Sequence, residues 1–133
     1  SMEPTLLIND RLIVNMLLYR FSPPKRGDII VFRYPVDPSR DFIKRVVALE
    51  GETVEVKQGY LFVNGRRLDE PYLPKQVMSD FGPVKVPPGD LFVMGDNRNN
   101  SDDSRVWGPL PKQNIIGKAF VIFWPPGRMR ILR

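Results

Sequence analysis

The sequence contains neither cysteine nor histidine among its 133 residues. Without cysteine the chain has no disulfide framework, no cysteine nucleophile and no thiolate metal site. Without histidine it has no Ser-His-Asp triad, no histidine-ligated zinc ion and no imidazole general base. Acid–base chemistry must therefore rest on lysine, carboxylates, tyrosine or the amino terminus, and we expect neither a metal nor a cofactor.

Long apolar runs are also missing. The longest, Ala119 to Trp124, has the length of a buried strand, whereas a transmembrane helix needs roughly 18 residues or more. No basic segment leads into an apolar one at the start, so we expect no signal peptide. The length fits one domain, residues 1–133. The net charge of +5, from 20 Lys and Arg against 15 Asp and Glu, favours anionic partners such as nucleic acid or acidic lipid headgroups.

Short apolar runs separated by turn residues make up most of the chain. Glycine and proline total 24 residues (10 and 14), and the runs between them are rich in Val, Ile, Phe and Leu, which predicts a mostly β fold. Lys57-Gln58-Gly59-Tyr60 and Asn64-Gly65 predict hairpin turns. Residues 69–88 hold five prolines, and we expect an irregular Pro-rich excursion there. The predicted strands are Leu6–Ile8, Arg11–Leu18, Asp28–Tyr34, Phe42–Leu49, Thr53–Lys57, Tyr60–Val63, Leu91–Met94 and Ile115–Trp124.

Residues 1–5, Ser-Met-Glu-Pro-Thr, are the first of three segments that stand apart chemically. The proline restrains the backbone, and a serine beside such a turn, ahead of an apolar strand, is well placed to present its hydroxyl at a strand edge. The alternative is a frayed chain end without a role.

Lys44 lies in the second segment, residues 41–47. In a strand, Phe42 and Lys44 point to one face, and Ile43 and Arg45 point to the other. A cation therefore shares a face with bulky apolar neighbours. Either the Lys44 ammonium reaches back to water, or the side chain is desolvated, which lowers its pKa and makes it a candidate general base.

The third segment, residues 94–105, is crowded with asparagine, aspartate, serine and arginine. Its carboxylates suggest a calcium loop at first sight. However, the spacing lacks the helix-flanked pattern with a glutamate at the twelfth position, and two arginines lie among the supposed ligands. A polar loop held by internal hydrogen bonds and an Asp–Arg pair fits these residues better.

Together the three segments resemble the boxes of type I signal peptidases, the membrane-bound serine proteases that remove signal peptides from exported pre-proteins. Residues 1–5 resemble that family's Ser-Met-x-Pro-Thr box, and residues 42–47 followed by Gly51-Glu52-Thr53-Val54 resemble its lysine box. Residues 95–108 are similar to the third box, which is the most specific of the three. The resemblance covers nearly the whole chain. The departures, which alter turn geometry more than chemistry, are Ala48, Glu50 and Asn99.

The resemblance implies a Ser/Lys dyad. Ser1 Oγ would attack the scissile carbonyl, and neutral Lys44 would accept its proton and pass it to the leaving amine. By the family pattern, Ser101 orients Lys44, and Asp103 pairs with Arg105 to hold the third loop. The remaining residues expected to support the site are Arg45 and Gly95. Those expected to line shallow apolar pockets for small substrate residues, at the first and third positions before the cut, are Met2, Leu6, Phe42 and Ile43.

The resemblance also implies a fold, partners and a location. The fold is a set of coiled antiparallel β-sheets, with an extended substrate added as a strand along one edge. The partners are the signal peptides of pre-proteins and the membrane surface, with no nucleic acid, and the location is the outer face of a bacterial cytoplasmic membrane or its organellar equivalent. The family carries a transmembrane anchor before the serine box, and a polar residue two positions before the nucleophile helps to build the oxyanion hole; the sequence as read begins at the serine, so we expect both to be absent.

Three other interpretations remain open: a self-cleaving repressor-type protease, a β-rich nucleic-acid-binding module and an inactive, substrate-binding remnant. A self-cleaving repressor-type protease shares Ser/Lys chemistry on a related β fold, but the Met-Gly-Asp-Asn-Arg run at residues 94–98 is not typical of such proteins. A β-rich nucleic-acid-binding module would account for the charge, the two tryptophans and the eight phenylalanines. Against it, the basic residues are dispersed among acidic ones and form no basic-aromatic stripe.

Overall fold

The structure, a computed structural model, describes residues 1–74 and 78–132. The described residues form eleven strands, one short helix and three single turns of 3-10 helix. The strands are β1 Arg11–Asn15, β2 Ile29–Arg33, β3 Asp41–Ala48, β4 Thr53–Lys57, β5 Tyr60–Val63, β6 Arg66–Arg67, β7 Phe81–Lys85, β8 Asp90–Met94, β9 Leu110–Pro111, β10 Ile115–Trp124 and β11 Arg130–Ile131. The helix α1 is Ser104–Trp107, and the 3-10 turns are Leu18–Arg20, Lys112–Asn114 and Pro126–Arg128.

Two antiparallel sheets account for these strands, which confirms the predicted fold class. The larger sheet has the order β1-β10-β2-β3-β8-β9, with β11 also paired to β10. The smaller sheet has the order β6-β5-β4-β7. Strands β3 and β4 are consecutive in sequence but lie in different sheets, so the short link between them, residues 49–52, carries the chain from one sheet to the other.

The larger sheet is packed on both faces. Ile29 of β2 belongs to an apolar cluster beneath the N-terminal segment, while its neighbour Ile30 belongs to a second cluster on the other face. This alternation follows from the period of two of a strand. A third cluster, which includes Val47 of β3 and Val54 of β4, joins the two sheets. Since β3 contributes to the cores on either side, its position is well defined.

The two predicted hairpin turns are confirmed. Gln58 and Gly59 link β4 to β5, and Asn64 and Gly65 link β5 to β6, all four with positive φ. Two successive residues with positive φ characterise the type I′ turn, whose twist matches that of the flanking strands.

Two predicted strands differ from the observed structure near the start of the chain. Leu6–Ile8 is a turn, because the Leu6 N–H donates to the Met2 carbonyl and the Leu7 N–H donates to the Asp10 carboxylate, which leaves neither for a strand ladder. The strand predicted as 11–18 ends at Asn15. The side-chain oxygen of Asn15 accepts hydrogen bonds from the N–H groups of Leu17 and Leu18, just where the 3-10 turn Leu18–Arg20 begins.

Part of the Pro-rich stretch is regular. Strand β7, residues 81–85, pairs with β4 inside the stretch that was expected to be irregular. Gly82 makes this possible, because a Cβ there would lie 2.6 Å from the Val54 carbonyl oxygen. Residues 75–77 of the same stretch lie outside the described part of the chain. None of the described helices is long and apolar enough to cross a membrane.

Candidate active site

Ser1 and Lys44, which are 43 positions apart in sequence, meet at one point of the fold. Lys44 lies on β3, which pairs with β2 through Ile30 at this position, and only 4% of the residue is exposed. A hydrogen bond of 2.5 Å joins Lys44 Nζ to Ser1 Oγ. A hydroxyl in direct contact with a buried amine is the geometry required of a nucleophile and its general base.

The environment of Lys44 favours its neutral form. Burial lowers the pKa of the Lys44 amine below its ordinary value, and the positive charge of Arg105 acts in the same direction. The carboxylates of Asp103 and Asp102 act in the opposite direction, but they do not outweigh burial. The Phe42 ring lies 5.4 Å from Nζ and contributes to the apolar surroundings. A neutral amine has the free lone pair that a base needs.

Asp103 organises the third segment. Its carboxylate accepts hydrogen bonds from the Arg105 guanidinium at 2.8 and 2.9 Å, from the Arg105 N–H at 3.1 Å and from the Gly95 N–H at 3.0 Å. Burial alone raises the pKa of this carboxyl, but Arg105, Gly95 and Ser101 together hold it below its ordinary value. Asp103 is thus an ion at neutral pH, and it also caps α1.

Ser101 lies beside the dyad but was expected to orient Lys44, and within residues 1–74 and 78–132 no hydrogen bond joins the two side chains. The Ser101 oxygen accepts the Gly95 N–H at 3.1 Å, and the hydroxyl also bonds to the Asp103 carboxylate. A hydroxyl has two acceptor lone pairs, so these two bonds leave one lone pair for a further donor. The orienting role of Ser101 stays a prediction.

Gly95 occupies a position that has no room for a side chain. A Cβ there would lie 2.6 Å from the Ser1 carbonyl oxygen and 2.7 Å from Ser101 Cβ. Two residues further along the chain, the Asn97 N–H donates a hydrogen bond to the same Ser1 carbonyl at 2.7 Å. The backbone of the third segment therefore lies directly against the backbone of Ser1.

Arg45 is a supporting residue whose partners the sequence analysis did not identify. Its side chain is fully buried and makes a bidentate ion pair with Asp96, at 2.9 and 2.8 Å. The hydroxyl of Thr5 donates to the same Asp96 carboxylate, and another Arg45 nitrogen donates to the Gly27 carbonyl at 2.9 Å. Thr5 and Asp96 both lie in segments that the sequence singles out, and this was the signal by which they could have been identified as part of the site. Arg45 therefore ties β3, the third segment and the N-terminal segment together.

A groove of about 490 Å³ opens over the dyad. The four residues that were expected to line substrate pockets all line it, together with both members of the dyad: Met2, Leu6, Phe42, Ile43, Ser1 and Lys44. Met2 and Leu6 are buried and form an apolar floor, while Phe42 and Ile43 are half-buried.

One edge of β3 is open next to this groove. Pairing with β2 covers residues 41–45, whereas pairing with β8 begins only at Arg45. Within the described residues, residues 41–44 therefore lack a strand partner on the β8 side, where an extended peptide fits as an added strand. The described part of the chain contains no group of three acidic side chains close enough to hold a metal ion.

Comparisons with known proteins agree on one family. The family model "Signal peptidase, peptidase S26" matches residues 1–124. The probable signal peptidase I-2 of Synechocystis sp. is 49% identical over 99% of this chain, which spans 63% of that protein. Thylakoidal processing peptidase 1 of Arabidopsis thaliana is 40% identical over 97% of this chain, which spans 41% of it. The crystal structure of a signal peptidase I from Enterococcus faecalis has a TM-score of 0.66 and 35% identity, covering 73% of this chain and 97% of that one.

Proposed function

The chain belongs to the signal peptidase family, peptidase S26, and on this premise we propose that residues 1–133 are the catalytic domain of a serine endopeptidase that removes signal peptides from exported pre-proteins. Ser1 is the nucleophile and Lys44 is the general base. The observation that carries the proposal is the 2.5 Å contact between Ser1 Oγ and the buried Lys44 Nζ. A chain without histidine has no imidazole to perform the same task.

The reaction proceeds in two halves. Ser1 Oγ attacks the scissile carbonyl carbon while its proton moves to Lys44 Nζ, and the tetrahedral intermediate collapses as Lys44 returns that proton to the leaving amine. The C–N bond breaks and an ester to Ser1 remains. Lys44, neutral again, takes a proton from water as the water attacks the ester, and the proton then goes to Ser1 Oγ. During each half Lys44 is briefly a cation, and the nearby Asp102 and Asp103 carboxylates favour that state.

The groove accounts for the substrate class. An extended peptide pairs with the open edge of β3 at residues 41–44, and alternate side chains enter the apolar lining formed by Met2, Leu6, Phe42 and Ile43. Successive side chains of a strand point to opposite sides, so the residues at the first and third positions before the cut both face this lining. Small residues there let the peptide backbone come close to β3.

Exposed apolar side chains beside the groove fit a membrane surface. Leu7 and Ile8 line the groove and are exposed, Ile8 by 84%. Trp124, 47% exposed, lies opposite Arg11 of the edge strand β1, and the Arg11 guanidinium lies over its ring. Tryptophan is enriched at membrane–water interfaces, where its ring lies at the level of the headgroups. The proposed location is the outer face of a bacterial cytoplasmic membrane or the equivalent organellar membrane.

The decisive experiment is cleavage of a synthetic peptide that spans a signal-peptide cleavage site with alanine at the first and third positions before the cut. We expect Ser1→Ala and Lys44→Met each to lower kcat by about 10⁴-fold or more, since general acid–base catalysis alone contributes 10²–10⁴-fold. The matched controls are Ser39→Ala and Lys57→Met, at exposed positions that do not line the groove. Activity in a folded, purified Lys44→Met sample would refute the dyad.

Two further arms separate the proposed function from its competitors. A peptide with phenylalanine at the first position before the cut should resist cleavage, because the resemblance to the family implies shallow pockets that take small residues. Incubation of the chain alone should leave it intact, since a self-cleaving protease would cut itself without added peptide.

A further inference from the structure

Glu70, in the stretch expected to be an irregular excursion, is joined to Arg98 of the third segment by two hydrogen bonds and to its own neighbour Tyr72 by another. Its two carboxylate oxygens accept hydrogen bonds from the two terminal nitrogens of Arg98, with N–O distances of 2.7 and 2.6 Å. It also accepts the Tyr72 hydroxyl at 3.2 Å. The Arg98 side chain is fully buried and that of Glu70 is 11% exposed. An ion pair so withdrawn from water holds its geometry more firmly than a surface pair, because breaking it leaves an uncompensated buried charge.

Arg98 transmits this contact to Ser1. Its Nε donates to the Gly95 carbonyl at 2.9 Å, so Glu70 and Gly95 hold the same guanidinium from two sides. Gly95 lies against the Ser1 carbonyl, and Asn97, between Gly95 and Arg98, donates its N–H to that carbonyl. A shift of Arg98 therefore moves the backbone on which Ser1 rests.

Tyr72 transmits a second contact to β3. The Arg45 guanidinium lies 3.8 Å from the centroid of the Tyr72 ring, while the other end of the ring donates its hydroxyl to Glu70. Arg45 follows Lys44 directly and pairs with Asp96. Glu70 thus contacts Arg98 of the third segment, which lies against Ser1. Through Tyr72 it also contacts Arg45, the neighbour of Lys44 on β3.

We propose that Glu70, assisted by Tyr72, is a positioning residue that holds Ser1 and Lys44 at reacting distance by bracing Arg98 and Arg45 from the smaller sheet's side of the molecule. Neither residue touches the groove, and the proposal rests on the proposed function for its kinetic readout. It gives the segment between β6 and β7 a role in catalysis in addition to its role in the fold.

The direction of the effect on Lys44 separates positioning from simple electrostatics. Among the described residues, the charged groups that act on the pKa of Lys44 are Asp102, Asp103 and Arg105, all from the third segment. Those from other segments that line the same groove are Glu3, Arg40 and Asp41. Were Glu70 to act on Lys44 by its charge, neutralising it would lower the pKa of Lys44. If Glu70 acts by position, a loosened dyad admits water, and the pKa of Lys44 rises toward its ordinary value.

The test is Glu70→Gln, which keeps the shape but removes the charge and replaces one of the two acceptor oxygens with an NH2 donor, so that the bidentate pair with Arg98 is lost. The matched control is Glu52→Gln, since Glu52 also makes a bidentate pair with an arginine, Arg26, at 2.6 and 3.0 Å, but away from the dyad. We expect Glu70→Gln to lower kcat by about 10-fold or more, as a displacement approaching 1 Å costs up to 10²-fold. KM should change little, and the rise of kcat with pH should shift to higher pH. Glu52→Gln should leave kcat and its pH profile unchanged.

A milder variant keeps the proposal testable if Glu70→Gln folds poorly. Tyr72→Phe removes one hydroxyl from an exposed position and should shift the pH profile in the same direction by a smaller amount. A folded Glu70→Gln with an unchanged pH profile overturns the proposal. So does a loss of kcat that is equal at every pH and is matched by a loss of folded protein.

An NMR titration of Lys44, with ¹³C-labelled lysine and Lys44→Met for assignment, separates this proposal from the proposed function. It reads the Lys44 amine without any substrate. A higher pKa in Glu70→Gln than in the parent chain supports positioning even if no peptide is cleaved, whereas an unchanged or lower pKa overturns it even if peptide is cleaved.

Discussion

Gly95→Ala is the sharpest perturbation that the structure allows, because it adds one methyl group at the contact between the third segment and Ser1. The added Cβ would lie 2.6 Å from the Ser1 carbonyl oxygen, while ordinary contacts begin at 3.4 Å. The difference, 3.4 − 2.6 Å, means that Ser1 or the loop must move by about 0.8 Å, since overpacking forces backbone shifts. Gly95 has no left-handed φ, so the substitution adds no backbone strain.

The expected cost follows from this displacement. A misplacement of about 1 Å in a reacting geometry lowers the rate by about 10²-fold, which corresponds to about 2.7 kcal/mol of activation free energy. The stability of the protein should fall by only about 1–3 kcal/mol, as is usual for one extra methyl group in a packed site. The rate should therefore drop in protein that is still folded.

The assay is kcat for the alanine-containing peptide, with circular dichroism to measure the folded fraction. Gly127→Ala is the control, since a Cβ at Gly127 would meet nothing within 4 Å. Ser101→Gly in the Gly95→Ala background removes the clash with Ser101 but keeps that with Ser1, so it should restore little activity. If folded Gly95→Ala keeps more than half of the parent kcat, the steric argument is refuted.

Three further outcomes are expected. Lys44→Met should raise Tm at pH 7, because it removes a buried group whose charged form is unfavourable in the folded chain. The pKa of Lys44 is lower in the folded chain than its ordinary 10.5, so the free energy of unfolding of the parent chain rises with pH between the folded and the unfolded pKa. A series of thermal melts at different pH values should show this rise in the parent chain and not in Lys44→Met. Thr5→Val should cost about 1–3 kcal/mol, since it leaves the buried Asp96 carboxylate short of one donor, and chemical denaturation should show no such loss for Thr53→Val. Ile8→Ser should weaken co-sedimentation with lipid vesicles while leaving cleavage of soluble peptide intact, and equal vesicle binding would contradict the membrane-facing role.

Local patterns in the sequence predicted the strands and hairpins well where they depend on near neighbours. Strands β4 and β5 alternate or run apolar over four to five residues, and Gly59 and Gly65 supply the positive φ that their turns require. The prediction failed at Leu6–Ile8 because the carbonyl of Met2 and the carboxylate of Asp10 capture the N–H groups of this segment. Apolar composition does not reveal such competition for backbone donors.

The residues that support the site were predictable where their partners lie close in sequence and not where their partners are far apart. An Asp–Arg pair within the third segment was visible as a local pattern, and the family resemblance identified it as Asp103 with Arg105, which are two positions apart. Arg45 and Asp96 are 51 positions apart, and Glu70 and Arg98 are 28 apart, so neither pair has a local signature. The Ser101 hydroxyl bonds to the Gly95 N–H and the Asp103 carboxylate, contacts that only the path of the loop decides, and its orienting role toward Lys44 stays a prediction.

By itself, the sequence determined which chemistry was possible and which local elements would form. The lack of histidine and cysteine left lysine as the natural base, and the turn residues delimited the strands. Only the tertiary structure decided that the Lys44 amine would be buried and within 2.5 Å of Ser1 Oγ. Burial depends on the packing of both faces of the larger sheet, and contact between residues 1 and 44 depends on buried ion pairs between distant segments, so neither is a property of any short stretch of chain.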